Sequence, residues 1–168
     1  MKKKHGIKII GITGYTGTGK TVAAKFLRKK GFMVVDVDEF VHSIYAPGCA
    51  LYSSLVKKYG KKILSPDGQI DRKNLGTVIF GSHAAYKSFI KMVYPAMNRA
   101  LLKHINTFGG NLVILDMAVL FESGFYRKTD AVIYIKTDSK IWLKRTQRIK
   151  NKQYGAIRSY QDFFPEPK

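Results

Sequence analysis

A chain of 168 residues with 45% hydrophobic content can bury one compact core and little more, which reads as one domain with room for a helical insertion. Its 30 Lys and Arg against 11 Asp and Glu give a formal charge of +19, which favours polyanionic partners in general. The excess is mostly lysine spread along the chain, as at Lys57, Lys58, Lys61 and Lys62, so it reads as solvated helix faces and not as a nucleic-acid-reading stripe.

Taken in chain order, residues 7–12 are a nearly continuous apolar run, the pattern of a strand in a parallel sheet. Glycines follow, and then Val22, Ala23, Phe26 and Leu27 recur at helical spacing until Arg28, Lys29, Lys30 and Gly31 close a helix. A short strand at 33–35 ends at Asp36 and completes a βαβ unit, of the kind that closes right-handed. The middle of the chain reads as helical. Phe80-Gly81-Ser82 joins a helix stop to the N-cap of the next helix. There Phe89, Val93, Met97, Leu101 and Ile105 keep a four-residue spacing, which Pro95 interrupts by kinking the helix or by starting another. Two further apolar strands fall at 112–115 and 131–135, and Thr137, Asp138 and Ser139 offer N-caps for a basic helix to about Lys150. The segment from Gln161 holds two prolines and reads as a loose tail. Cys49 is the single cysteine, so an intrachain disulfide and a thiolate metal cluster are both excluded.

The chemistry begins at Gly14-Tyr15-Thr16-Gly17-Thr18-Gly19-Lys20-Thr21, which fills every fixed position of the P-loop pattern between a strand and a helix. Glycines let the backbone turn its N–H groups inward around phosphate oxygens, and the helix N-terminus adds positive potential. Lys20 is placed to reach the β- and γ-phosphates, and Thr21 to put a hydroxyl on Mg²⁺. The pattern therefore predicts nucleoside triphosphate binding through residues 14–21, with Val22 just behind them. Asp36-Val37-Asp38 falls at the carboxyl end of the second strand, the edge where open α/β sheets bind ligands. One of these carboxylates is placed to accept the proton of an attacking hydroxyl, or both simply cap the next helix.

The order of these blocks resembles the dephospho-CoA kinase family. Gly11-Ile12-Thr13-Gly14, the P-loop and Val35-Asp36-Val37-Asp38 look like that family's opening. Ala46-Pro47-Gly48, then Tyr59-Gly60, Ile63-Leu64, Asp67-Gly68-Gln69-Ile70-Asp71-Arg72-Lys73-Asn74-Leu75 and Val78-Ile79-Phe80, resemble its helical region. Leu115-Asp116 with Val119-Leu120-Phe121-Glu122 resembles the stretch after its third strand. The resemblance implies transfer of the ATP γ-phosphoryl group to the ribose 3′-hydroxyl of dephospho-CoA, with ATP and Mg²⁺ as cofactors. It makes Asp38 the base, Lys20 and Arg145 catalytic cations, and Asp36, His42, Arg72 and Glu122 acceptor contacts. Thr21 and Asp116 become Mg²⁺ contacts, and Arg148 an ATP contact, with Arg158 a further lid arginine. Transfer to another small hydroxyl acceptor such as a nucleoside, and nucleotide binding without turnover, are the alternatives.

Several positions depart from the family pattern. His42 stands where an arginine is usual, Tyr94-Pro95 replaces His-Pro, and Ala118-Val119-Leu120 replaces Pro-Leu-Leu. Trp142 stands for a glutamine, and Arg148 falls one residue early, which on a helix turns a side chain by about 100°. Relatives also continue into another strand and a final helix that help hold adenine. The expected architecture is α/β, a three-layer P-loop NTPase fold with a parallel sheet, a helical substrate-binding insertion and a short lid. One kinase domain would cover 1–168, with its core at about 5–45 and 111–144, the insertion at about 46–110 and the lid at about 145–161. The start at Lys2, Lys3 and Lys4 lacks a signal-peptide core, and no stretch has the length and apolarity of a membrane span. A cytoplasmic monomer or weak homo-oligomer acting on a small molecule, without membrane or nucleic acid, is the expectation.

Overall fold

A computed structural model of the chain describes residues 6–153, with side chains as far as residue 146. Within them the apolar runs become β1 (Lys8–Thr13), β2 (Val34–Asp36), β3 (Leu112–Asp116) and β4 (Ala131–Tyr134). All pair in parallel, in the order β2-β3-β1-β4. The helices are α1 (Lys20–Lys29), α2 (Val37–Ile44), α3 (Ala50–Tyr59), α4 (Arg72–Ile79), α5 (His83–Ile105) and α6 (Ser139–Gln153). This is the α/β architecture expected from the pattern of strands and helices.

The register brings the chemistry to one edge. Ile12 pairs with Asp116 across β1 and β3, and Asp116 pairs with Asp36 across β3 and β2. The phosphate loop, the Asp36–Asp38 turn and the end of β3 therefore leave the sheet side by side.

Two apolar clusters support this edge. In the sheet cluster, Ile9, Val113 and Leu115 are fully buried with Met97, Leu101 and Ile105 of α5. The helical cluster gathers Leu51, Leu55, Ile63, Leu75, Ile79, Phe89 and Val93 from α3, α4, α5 and the turn between α3 and α4. Ile44, the last residue of α2, packs against both. Gly11 in β1 matters for the same packing: a Cβ built there would lie 2.5 Å from Leu120 Cδ2, in a side chain that is wholly buried. The loop after β3 thus seats Leu120 directly on bare strand backbone.

The structure refines three expectations. α5 runs unbroken through Pro95, so the proline does not start a new helix. The middle is not wholly helical, because a turn closed by the Leu64–Ile70 bridge separates α3 from α4. Its cause is local: Gly68 adopts φ 79°, and the Asp67 carboxylate accepts from Gln69 N–H and from Ser65 Oγ. Lastly, β4 is an exposed edge, with Val132 and Ile133 at 36% and 46% accessibility.

Candidate functional site

The phosphate loop owes its shape to three glycines in the left-handed region, Gly14 (φ 145°), Gly17 (φ 86°) and Gly19 (φ 106°). Gly14 is doubly constrained, since a Cβ there would lie 2.3 Å from the Ile135 carbonyl oxygen. Thr18, at 7% exposure, braces the bend from inside: its N–H and its hydroxyl both donate to the Tyr15 carbonyl, at 3.2 and 2.8 Å. Tyr15 packs edge-on against Tyr134 of β4. The Lys20 ammonium lies across the loop, donating to the Gly14 and Tyr15 carbonyls at 2.6 and 2.9 Å. Phosphate oxygens entering the loop would be offered those same N–H donors. Thr21 and Val22 are exposed on the first turn of α1, Val22 at 73%.

Charge collects beside the loop. Burial pushes the Asp38 carboxyl up from its ordinary value, and the Asp36 charge adds to the rise, while Lys20, Arg72 and His42 pull against it. Asp116 is likewise raised, by burial first and then by Asp36 and Asp38, with Lys20 and Arg28 opposing. Burial pushes the Lys20 ammonium down, and Asp116 and Asp38 hold it up. Lys20, Asp38 and Asp116 are therefore one electrostatic unit drawn from α1, α2 and β3. Asp36 has a different job in the geometry, since its carboxylate caps α2 by accepting from Glu39 N–H at 3.1 Å.

A second group of charges comes from α2 and α4. Asp71 caps α4 through Lys73 and Asn74 N–H at 2.8 and 3.0 Å, and that leaves Arg72 on the first turn facing the field of Asp38 and not paired with Asp71 or Asp67. His42 shares α2 with Asp38 one turn on, and its charge pulls the Asp38 carboxyl down. Glu122, beyond β3, is raised by burial, and its charge adds to the rise of the Tyr86 hydroxyl of α5. Sequence reading passed over Tyr45, the C-cap of α2: burial pushes its hydroxyl up to about 12, and the Arg72 charge draws it back. Its one signal was an aromatic at the end of an amphipathic helix that carries Asp38.

α6 lies against the loop. Arg145 donates from Nη1 to the Gly17 carbonyl at 3.3 Å, and Trp142 from its indole N–H to the Thr16 carbonyl at 2.9 Å. The Arg148 side chain and Arg158 lie outside what the structure describes. Among the described residues no cluster of three or more His, Cys, Asp or Glu is arranged as a metal cage, and no helix has the length and apolarity to cross a membrane. Mg²⁺ does not require a cage, because it keeps waters and substrate oxygens and takes one or two protein ligands. The oxygen chemistry of Thr21 and of Asp116, a carboxylate crowded by two others, fits that demand.

A glycine-turned phosphate nest on a parallel sheet, with an acid group poised at the next strand end, defines the class of P-loop nucleotide-binding proteins. Comparison with known proteins narrows the class. The family model for dephospho-CoA kinase matches residues 8–160. Dephospho-CoA kinases of Symbiobacterium thermophilum and Aquifex aeolicus are 33% and 34% identical over 129 and 128 residues, 75% and 76% of this chain. The chain belongs to the dephospho-CoA kinase family. It spans 54% and 65% of the length of those two relatives.

Solved structures agree on the fold. A Thermus thermophilus protein superposes with a TM-score of 0.70 at 23% identity, covering 88% of this chain and 73% of its own. The dephospho-CoA kinase of Campylobacter jejuni superposes with a TM-score of 0.57 at 16% identity, covering 85% and 97%.

Proposed function

We propose that this chain transfers the γ-phosphoryl group of ATP to the ribose 3′-hydroxyl of dephospho-CoA, forming CoA and ADP. The observation that carries the reading is the position of Asp38, a carboxylate on the first turn of α2 coupled to Lys20 on the phosphate side and to Arg72 and His42 on the other. Relatives bearing the dephospho-CoA kinase name support the choice of acceptor.

In this reading the loop amides and Lys20 hold the β- and γ-phosphates in line, and Arg72 pairs with acceptor phosphate. Asp38 orients the hydroxyl and takes its proton as the new O–P bond forms, while the bond from the γ-phosphorus to the bridging oxygen breaks and that oxygen leaves with its electron pair as part of ADP. Thr21 and Asp116 are the residues that would hold Mg²⁺, which when bound would supply positive charge to the phosphate oxygens. Arg145 sits at the crest of the loop and neutralises charge on the transferred group. The raised Asp38 carboxyl is a better proton acceptor than an ordinary one, provided the pH keeps it ionised.

The chain then works as one kinase unit, with residues from about 46 to 110 seating the acceptor; the lid expected at about 145–161 lies partly outside the described residues. The test is an assay with ATP and Mg²⁺ on dephospho-CoA, set beside a panel of nucleosides and sugars. ADP formed with dephospho-CoA above the panel supports the reading. Turnover on a panel member but not on dephospho-CoA makes the chain a kinase for another hydroxyl. ATP binding without turnover on any acceptor makes it a nucleotide binder.

A further inference from the structure

Trp142 is the one tryptophan of the chain, and it stands at the place where α6 meets the phosphate loop. The loop turns its N–H groups inward, so carbonyls at its crest are left facing out and need donors. α6 supplies them to two successive residues: the Trp142 indole N–H to Thr16 at 2.9 Å and Arg145 Nη1 to Gly17 at 3.3 Å. Trp142, Arg145 and Thr146 are spaced to share one helix face. All three converge on Gly17, where a built Cβ would lie 3.2 Å from Thr146 Cγ2 and 3.8 Å from both Arg145 Cβ and Trp142 Cδ1.

The base of α6 is fixed as well. The Asp138 carboxylate caps the first turn through Lys140 and Ile141 N–H, the Trp142 N–H closes the first helical bond on the Asp138 carbonyl, and Ile135 N–H is bonded to Thr13 at the end of β1. α6 is therefore tied at its root to the strand that feeds the loop, and at its second turn to the crest of the loop itself. An indole ring is large and stiff, with two rotatable bonds, so a hydrogen bond from its tip fixes the helix at little entropic expense.

We infer that Trp142 is a positioning residue for the nucleotide site: it pins α6 to the Thr16 carbonyl and so sets both the shape of the loop crest and the place of the Arg145 guanidinium. The inference rests on the reading that this loop binds ATP. It adds a residue that neither the P-loop pattern nor the family resemblance assigned, and it predicts that Trp142 acts through Arg145 and the loop, not on the acceptor.

The experiment uses the full chain and ATP with Mg²⁺, with no acceptor present. Titration of the wild type is followed by tryptophan emission, and the dissociation constants of Trp142→Phe, Arg145→Ala and the double variant are measured by calorimetry. Trp142→Phe keeps a ring for packing and removes only the donor. It should raise the dissociation constant about fivefold, the worth of one hydrogen bond. The double variant should bind about as weakly as Arg145→Ala alone, because the two act as one unit. Emission of the wild type should shift on ATP addition, and should not shift in Lys20→Ala. A Trp142→Phe dissociation constant within twofold of wild type, full multiplicativity in the double variant, or an unchanged wild-type emission while ATP binds would each overturn the inference and leave ATP binding standing. A wild type that binds no ATP overturns both readings.

Discussion

In the sheet half, Lys20, Asp116 and the phosphate loop hang from strands whose central side chains, Ile9, Val113 and Leu115, have no exposure at all. In the helical half, Arg72 begins an eight-residue helix held by Leu75 and Ile79, on a cluster assembled from short helices and a turn. α2 is the seam, with Asp38 on its first turn and Ile44 packed into both clusters. The contrast teaches a division of labour. Parts proposed to meet the phosphates are fixed by parallel strand register, and parts proposed to meet the acceptor are fixed by caps and small helix contacts.

The comparison is tested first where the effect is largest. Lys20→Ala should lower phosphoryl transfer about a thousandfold, as loss of a cation on the transferred phosphates does, read from initial ADP formation. Asp38→Asn should lower transfer about a hundredfold or more while ATP binding by calorimetry stays intact. That split would show base and phosphate grip to be separable across the seam.

Leu55→Ala, in the middle of the helical cluster, should destabilise the fold by about 3 kcal/mol in denaturant titration. Leu101→Ala in the sheet cluster should be of similar size. The two sharpen the contrast only if Leu55→Ala weakens the acceptor more than ATP, and equal loss of both would erase it. Arg72→Ala should raise the acceptor KM about tenfold and leave the ATP KM near wild type, since one charge-assisted hydrogen bond is removed on the acceptor side alone.

The smallest effect is in pH. Asp38, Asp116 and Glu122 have carboxyls raised by burial in the folded chain, so the folded state holds more protons than the unfolded one between the ordinary carboxylate value and the raised values. The contribution of these three groups to stability should be fully present below that window and fall as pH rises through it. Asp38→Asn removes one of these groups and should melt at a higher temperature than wild type, with the gap opening as pH rises through the window. Transfer has the opposite sense, because the base must be ionised: the rate should fall as pH drops below the raised Asp38 value. The site thus opposes the fold.

Much of this was legible from residues alone. The apolar runs gave the strands within a residue or two, and the loop pattern fixed Gly14, Gly17 and Gly19 because only glycine suits their backbone. Ser82 announced its helix as a cap, accepting from Ala85 N–H, and Asp36, for which capping is one of two readings, accepts from Glu39 N–H. What stayed hidden was long-range. Tyr45 matters through burial against residues far along the chain, and Trp142 through a bond to Thr16 that no local pattern encodes. The Pro95 position was ambiguous because a proline within a long, well-packed helix is tolerated when tertiary contacts outweigh the lost bond, as at Val93 and Met97 beside it.

Gly11 carries a last consequence. It has no positive φ to explain its identity, only Leu120 resting on its backbone. One added methyl group would lift the Leu120 side chain, and with it the segment that leads to Glu122, like a shim under a hinge plate. The geometry of a loop two residues from Glu122 is therefore written into a strand more than a hundred positions earlier, by an atom that is missing.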